Sequence, residues 1–442
     1  MRSSSVCILV LIWAYSQVAQ AYTKFEPECT NPEGVVNFVA SPPTRGTLDI
    51  LWSSLFTIFA CTWTILHLNV PQQRDGQDPG TLGDLKWATK AIWYKGKWML
   101  VAVIAPEVIL FYALERLVSA RKQHPRIKKL ADADQVPWTL THTTFTIMGG
   151  FVVRGGSDRV GKGFTPESPT TQTQSPAAKE WYILDIDTIL ELRSGGHIVL
   201  PCIPEAEIDD HSKGDLLTKG IAAIQILWAI ATAITRAHLG LAISVLEISV
   251  LAFAACALLI YAVYWSSPKD VSVPITFLQW PGAIPSPVMD IILGPNPCHN
   301  STSFQTKRKQ KATSNLDQNN EAGLVSNSSV LFVPLIFGAP HLLAWNFTFP
   351  TSAEGILWRT TSIYCSLVGL IFYICQETHN IVLSLRLSGR VLTLLEDISF
   401  GVFLVVYILA RLFMIVETFR TLLFLPPSAY IATWTSSAPM FG

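Results

Sequence analysis

Long apolar stretches separated by polar segments dominate the chain. A membrane-crossing helix needs about 17–25 predominantly apolar residues, and seven stretches come near or reach that length. The pattern therefore predicts an all-α membrane protein with about seven transmembrane helices. The predicted spans cover residues 48–70, 98–118, 220–235, 239–265, 329–345, 358–375 and 398–416.

The polar segments between these stretches predict two large loops. Residues 119–218 form a large polar loop with partly ordered segments, and residues 266–328 form a glycosylatable, partly disordered loop, because their polar stretches cannot bury a core. The other boundaries are a signal peptide at 1–21, a lumenal segment at 22–47, transmembrane helices at 48–118, 219–265 and 329–425, and a tail at 426–442.

The first 21 residues are typical of a secretory signal. Arg2 precedes an apolar run, and Ala19, Gln20 and Ala21 form a small-residue cleavage site; an uncleaved signal anchor is the alternative. Seven spans starting outside would place the carboxyl terminus in the cytosol. This arrangement puts the basic run 121–129 outside, against the positive-inside tendency.

Composition supports the membrane class. Half of the residues are hydrophobic, 14% are charged, and the mean hydropathy is +0.37, whereas soluble domains carry about 25% charged residues. The net charge is zero, so composition does not suggest a nucleic-acid partner, which would call for a basic face. We expect an integral, multi-pass protein of the endomembrane system or plasma membrane, with lipids as partners. The mixed lysines and tryptophans of residues 85–98 predict an interfacial helix.

Cysteines and sequons suggest an oxidising, glycosylating compartment. The eight cysteines show no metal-binding spacing, and neither a metal nor a cofactor is predicted. A disulfide between Cys29 and Cys298 is one interpretation. Asn300 and Asn327 lie in sequons predicted outside, whereas the Asn346 sequon would lie inside and close to the membrane.

Glu107 is the strongest candidate for chemistry, because it follows Pro106 in the middle of the second predicted span. A proline opens a helix locally, and a buried carboxyl group can serve as a general acid; a helix-locking ion pair is the alternative. Glu247 could face Glu107 as its catalytic partner or pair with Arg411 of the last span, and the pairing is preferred.

Other polar groups have weaker claims. His341 could relay protons, although a hydrogen-bonded histidine at a helix end is the commoner case, and the same applies to His67. Asp210, Lys213 and Asp215 in "IDDHSKGD" are compatible with phosphate or metal binding, but a charged collar beside a span is more usual. No Walker A, HExxH, GxSxG or dinucleotide-binding motif occurs.

Several stretches together resemble a large, mostly uncharacterised family of fungal multi-spanning membrane proteins. They are "KWMLVAVIAPE" (97–107), "WTLTHTTFTIMGGFV" (138–152), "IDDHSKGD" (208–215), "YWSSPKDV" (264–271), "GAPHLLAWNFTFP" (338–350) and "YILARLFMIVETFR" (407–420). The family brings no agreed activity. Some relatives lie beside secondary-metabolite genes, which implies a pathway role with pathway enzymes as neighbours. The short tail "WTSSAPMFG" departs from the longer aromatic tail usual in relatives.

Three functions follow as hypotheses. The first is a pathway protein, such as a membrane-embedded cyclase or isomerase acting on an apolar small molecule, with Glu107, Glu247 and His341 as candidate catalytic residues. The second is a small-molecule or proton-coupled transporter, against which stands the absence of visible repeats. The third is a receptor or scaffold. A closed cavity would favour the enzyme, and separate pairing with arginines a structural role.

Overall fold

The structure, a computed structural model, describes residues 42–71, 80–155, 181–212, 216–282, 284–293, 320–384 and 390–433, with Phe25 and Gln73. Side chains are not described at 216–218, 320–328, 379–384 and 390–397. The described chain is mostly helical. The predicted signal peptide lies outside it.

Four helices are long and apolar enough to cross a membrane, and a bent pair could provide a fifth span. The four segments are Lys219–His238, Val245–Val263, Ser352–Thr378 and Ile398–Phe424. The helices that form the bundle are α1 (Thr47–Thr64), α2 (Thr81–Ile104), α3 (Pro106–Ala133), α7 (Leu216–His238), α8 (Val245–Val263), α10 (Asn320–His341), α11 (Ser352–Ser384) and α12 (Arg390–Arg420).

The second predicted span, residues 98–118, is not a continuous helix. Helix α2 ends at Ile104, α3 begins at Pro106, and their axes differ by 109°. Pro106 lacks the N–H that would continue α2, and it occupies the first position of α3, where that N–H is not needed. The sequence indicated a kink here, whereas the structure contains a full break.

The bundle core combines small, aliphatic and aromatic residues. Cys61, Ala102, Leu110, Cys256 and Phe337 are buried in one cluster to which α1, α2, α3, α8 and α10 contribute. Cys61 and Cys256 are both at most 1% exposed. Small side chains let the helix backbones approach closely, which is how helices associate in membranes.

Helices α10 and α11 approach each other most closely at two glycines. A Cβ on Gly369 would overlap the carbonyl oxygen of Val330, and one on Gly338 would lie 2.6 Å from the Cα of Ser366. Neither position has room for a larger residue. These glycines therefore fix the contact between the two helices.

A small α/β domain corrects the all-α prediction. The domain consists of the end of α3 and seven further elements. These are α4 (Leu140–Ile147), β1 (Phe151–Arg154), β2 (Trp181–Ile183), α5 (Ile186–Ser194), α6 (Glu205–His211), β3 (Ile275–Gln279) and α9 (Ser286–Leu293). The sheet order is β2–β1–β3, with β1 antiparallel to β2 and parallel to β3. Both predicted polar loops therefore contribute to one folded unit.

The domain core is rich in aromatic residues. Phe151 of β1 contacts Trp138, Phe145 and Phe277, with ring centroids 4.9–6.0 Å apart. Aromatic pairs at such distances add stability beyond burial of their area. The hydrophobic pattern of the sequence does not reveal this core, because its strands have only three to five residues.

Candidate functional site

Glu107 lies at the break between α2 and α3. It is in the first turn of α3, where the helix dipole favours a negative charge. Its side chain is only 5% exposed. The break therefore carries a buried carboxylate into the interior of the bundle, at a point where two helix ends meet.

Two residues of α12 hold this carboxylate. The Tyr407 hydroxyl donates a hydrogen bond to Oε1 of Glu107, and Nη2 of Arg411 lies 3.6 Å from Oε2. Nε of Arg411 also donates to the carbonyl oxygen of Ile104 at 2.6 Å, at the end of α2, where carbonyls lack helical partners. Its guanidinium lies 4.1 Å from the ring centre of Phe337. Arg411 thus joins the two ends of the broken helix. We call Glu107, Tyr407 and Arg411 the helix-break site.

One acceptor of the helix-break site is unused. Oε2 of Glu107 makes no hydrogen bond to any described residue, although the ion pair with Arg411 lies within 4 Å. Buried polar atoms are nearly always hydrogen-bonded, so an exception deserves a functional or hydration explanation. This oxygen retains an unfilled acceptor position, although it has almost no surface open to solvent.

His341 lies near the helix-break site but is hydrogen-bonded elsewhere. Its Nδ1 is 2.9 Å from the carbonyl oxygen of Phe337, so Nδ1 carries the hydrogen. Its Nε2 is 3.5 Å from the hydroxyl of Ser249, and Trp358 donates to its carbonyl oxygen. The ring of Phe337 contacts both His341 and Arg411. The geometry is that of a satisfied histidine inside the bundle.

Glu247 does not pair with Arg411, contrary to the preferred prediction. Its carboxylate binds Arg45 through two bonds of 2.6 and 3.2 Å, and it caps α8 by accepting from the backbone N–H of Ser244 at 2.8 Å. Arg411 pairs with Glu107 instead. Each glutamate therefore has its own arginine, which is the arrangement expected for a structural role of the two pairs.

The proposed pairing of the two glutamates does not form either. Glu247 occupies the first turn of α8, whereas α3 packs on α8 near Cys256. Nine residues along a helix correspond to about 14 Å. This separation prevents the two carboxyl groups from sharing a proton.

An arginine that the sequence analysis missed organises the surroundings of Glu247. Arg236 is 1% exposed and donates to the carbonyl oxygens of Ala242, Ser428, Ala429 and Ile431 at 2.8–3.0 Å. Its position in an apolar helix was the sequence feature that could have identified Arg236, because a buried charge needs several hydrogen-bond partners. We call Arg45, Arg236 and Glu247, with the backbone of residues 428–431, the terminal clamp.

His67 and Asp210 lie away from both sites. His67 stacks on Tyr264 with ring centroids 4.3 Å apart, and its carbonyl oxygen accepts from Arg116. Asp210 lines an open cleft of about 310 Å³ with His211, Ser272 and Val273. Lys213 and Asp215 lie outside the described residues, so phosphate or metal binding at this motif stays a prediction.

Lys269 is a buried basic group between the bundle and the domain. It is 2% exposed, and burial, assisted by Lys219 and Lys95, lowers its pKa to about 8, while Asp270 opposes the change. A lysine in such surroundings loses its proton far more readily than one in water. The junction therefore contains a group that titrates near neutral pH.

Asn346 is exposed in the turn between α10 and α11. The other predicted modification sites, Asn300, Cys29 and Cys298, lie outside the described residues, as does the side chain of Asn327. Among the described residues, Cys202 and Cys375 are free and exposed.

Residues 18–290 match the model of DUF8562, a family of unknown function. The chain belongs to this family. No curated protein and no solved structure matches the chain. The DUF8562 match includes Glu107 and Glu247 but ends before His341, Tyr407 and Arg411, so it covers only one side of the helix-break site.

Proposed function

We propose that this DUF8562 member is a multi-pass membrane protein that acts on an apolar small molecule at the helix-break site. The observation that supports the proposal is the unused acceptor oxygen of buried Glu107. Ionisable groups inside a membrane are costly and are functional candidates by default. The substrate would enter the site from the lipid phase.

The chemistry we propose is proton transfer within the substrate, as in an isomerase or cyclase. Glu107 accepts a proton from one substrate carbon. Tyr407 donates its phenolic proton to another carbon, and the proton on Glu107 then returns to the phenolate through their hydrogen bond. The cycle consumes no oxidant, reductant or water. Arg411 offsets the negative charge throughout.

Glu247 and His341 were candidate partners in this chemistry. Their hydrogen bonds are already made, to Arg45 and to the carbonyl oxygen of Phe337. The proposal therefore assigns both a structural role. The sequence suggested Glu107 as the proton donor, whereas the proposal assigns proton donation to Tyr407.

Proton-coupled transport is the second candidate. Its support is the discontinuous helix pair α2–α3, because transporter sites are often built where a membrane helix is broken. In that case Glu107 would exchange a proton while the same apolar molecule is moved. A receptor or scaffold has no comparable support from the helix-break site.

The proposed setting is a biosynthetic pathway, as implied by the resemblance to fungal membrane proteins found near secondary-metabolite genes. The partners would be membrane lipids, the apolar substrate and pathway enzymes, in the endomembrane system or plasma membrane. The seven-span arrangement stays a prediction of the sequence.

The experiment compares metabolites in cells and in medium, measured separately by untargeted mass spectrometry. The strains lack the gene or carry Glu107→Gln, Tyr407→Phe or Glu354→Gln. Glu354 is the matched control, since it also pairs with an arginine, Arg420, at 2.7 Å. Protein levels and detergent extraction profiles verify that each variant folds.

Accumulation of a precursor, with loss of its product from both compartments, is expected for the first three strains and supports catalysis. A product retained in cells and missing from the medium would support transport. Wild-type metabolites in the Tyr407→Phe and Glu107→Gln strains, with folded protein, would show that the helix-break site serves stability alone.

A further inference from the structure

We infer that α2 and α3 form a re-entrant hairpin, which enters and leaves the membrane on the face that carries the α/β domain. Both described ends of the chain then lie together on the opposite face. We call these the domain face and the terminal face. The inference concerns membrane topology and does not depend on the proposed chemistry.

The bend itself argues against a crossing. A kinked span keeps its overall direction, so its two halves differ by well under 90°. Helices α2 and α3 differ by 109°, which leaves about 71° between the two arms. With the arms placed symmetrically about the membrane normal, the chain turns back toward the face from which it came.

The outer ends of both arms lie on the domain face. In α2, Nζ of Lys95 is 3.0 Å from Asp270, which precedes the domain residue Val271, and it lies 4.1 Å from the ring centre of Trp63 near the end of α1. In α3, Arg116 donates at 2.9 Å to the carbonyl oxygen of His67, just beyond α1. Both arms therefore start and finish beside the same end of α1.

The tip of the hairpin lies near the centre of the bilayer. Glu107 contacts Arg411, the central residue of the 27-residue span Ile398–Phe424. Nine residues separate Lys95 from Ile104, and nine separate Glu107 from Arg116, which is about 14 Å for each arm. Half of a typical hydrocarbon core is about 15 Å. With each arm tilted by about 35° from the membrane normal, about 14 Å of helix covers about 11 Å of depth, which is most of the distance to the middle.

The described ends of the chain are hydrogen-bonded to each other. Thr44 and Ile431 form a β-bridge, the N–H of Arg45 donates to the carbonyl oxygen of Tyr430, and that of Ala432 donates to Pro43, both at 2.9 Å. Segments joined in this way lie on one face of the membrane, so the chain between them crosses the membrane an even number of times. Six crossings, by α1, α7, α8, α10, α11 and α12, satisfy this condition. Seven crossings do not.

The distribution of charge indicates which face is cytosolic. The domain face carries the basic run of α3, which comprises Arg121, Lys122, Arg126, Lys128 and Lys129. On the terminal face the described basic residues are Arg45, Arg236, His238, Arg359 and Arg420, which do not form a run along the chain. The positive-inside tendency places the domain in the cytosol. In the seven-span arrangement the basic run conflicted with the positive-inside tendency, whereas with the hairpin it agrees with that tendency.

The test uses impermeant maleimide labelling of single cysteines in sealed vesicles. Every cysteine except buried Cys61, Cys256 and Cys365 is replaced by serine. Single cysteines are then placed at exposed positions by Pro42→Cys, Lys129→Cys and His238→Cys. A fourth protein restores Cys202, an exposed native residue of the loop that follows α5.

We expect Pro42→Cys and His238→Cys to label from one side, and Lys129→Cys and Cys202 from the other. The seven-span arrangement places residue 42 together with residues 129 and 202, so labelling in that grouping would overturn the hairpin. Detergent-permeabilised vesicles, in which all four proteins must label equally, control for reactivity. Thermal unfolding profiles like that of the parent protein verify the fold.

Discussion

Replacing Glu107 with glutamine is the most informative test of the helix-break site. The substitution keeps an acceptor for the Tyr407 hydroxyl but leaves the Arg411 guanidinium, 3% exposed, without its counter-charge. Removing one partner of a buried ion pair costs about 3–5 kcal/mol. We expect a loss of about 3 kcal/mol in the free energy of unfolding, since the glutamine dipole retains part of the interaction.

The same change at Glu354 provides the comparison. Its partner Arg420 has 36% of its side chain exposed, and partly exposed pairs contribute roughly 1 kcal/mol or less. We would measure both variants by denaturant unfolding in mixed micelles, with intrinsic tryptophan fluorescence as the signal. The double variant Glu107→Gln/Arg411→Met should lose less than the sum of its single changes, with a coupling of about 1–3 kcal/mol. Equal losses for Glu107→Gln and Glu354→Gln, with additive double-variant losses, would refute the buried ion pair.

Three further predictions concern other parts of the molecule. Glu247→Gln should lower stability by about 2–4 kcal/mol, because it leaves buried Arg236 and half-buried Arg45 without their carboxylate, and limited proteolysis should then release the residues near 431. Lys269→Met should raise stability at pH 7 by roughly 3 kcal/mol, because the pKa of this lysine falls from 10.5 to about 8 on folding. Gly369→Ala should destabilise the contact between α10 and α11 by several kcal/mol, whereas Gly401→Ala, with no atom within 4 Å, should gain up to about 1 kcal/mol.

The lowered pKa of Lys269 determines the pH range in which this lysine changes the free energy of unfolding. Between about pH 8 and 10.5 the unfolded lysine holds a proton that the folded lysine has released, so the contribution of Lys269 to stability should rise with pH in this interval. Lys269→Met should lack this contribution, so its slope should be lower than that of the parent protein. A slope unchanged by the substitution would exclude Lys269 as its source.

For the glycines, equal stability of the two alanine variants would contradict the close helix contact. For Glu247→Gln, an unaltered digestion pattern would contradict the terminal clamp.

Hydrophobic pattern and composition identified the membrane class and the four long apolar helices, because the bilayer demands length and low charge of every segment that crosses it. The same pattern could not distinguish a span from two half-length arms. Residues 98–118 have the apolar length of one crossing, and only the relative direction of α2 and α3 separates these cases. Pro106 predicted a disturbance of the helix but not its angle.

The α/β domain was hidden for a different reason. Its strands β1 and β3 come from two segments that are more than a hundred residues apart and were each predicted as a loop. Short strands have weak periodicity, and their pairing is determined by contacts between distant residues. Trp138, Phe145 and Phe277 become a core only when the chain has brought them together.

For the candidate sites, the sequence showed that Glu107, Glu247 and Arg411 are charges within apolar stretches and therefore require partners, since an unpaired charge in an apolar interior is too costly. Which charges pair was decided by the tertiary structure. Helix packing places Glu107 against Arg411 at mid-bundle and Glu247 against Arg45 at the end of α8. Electrostatic attraction acts between any opposite charges, but backbone geometry decides which of them come close enough to bond.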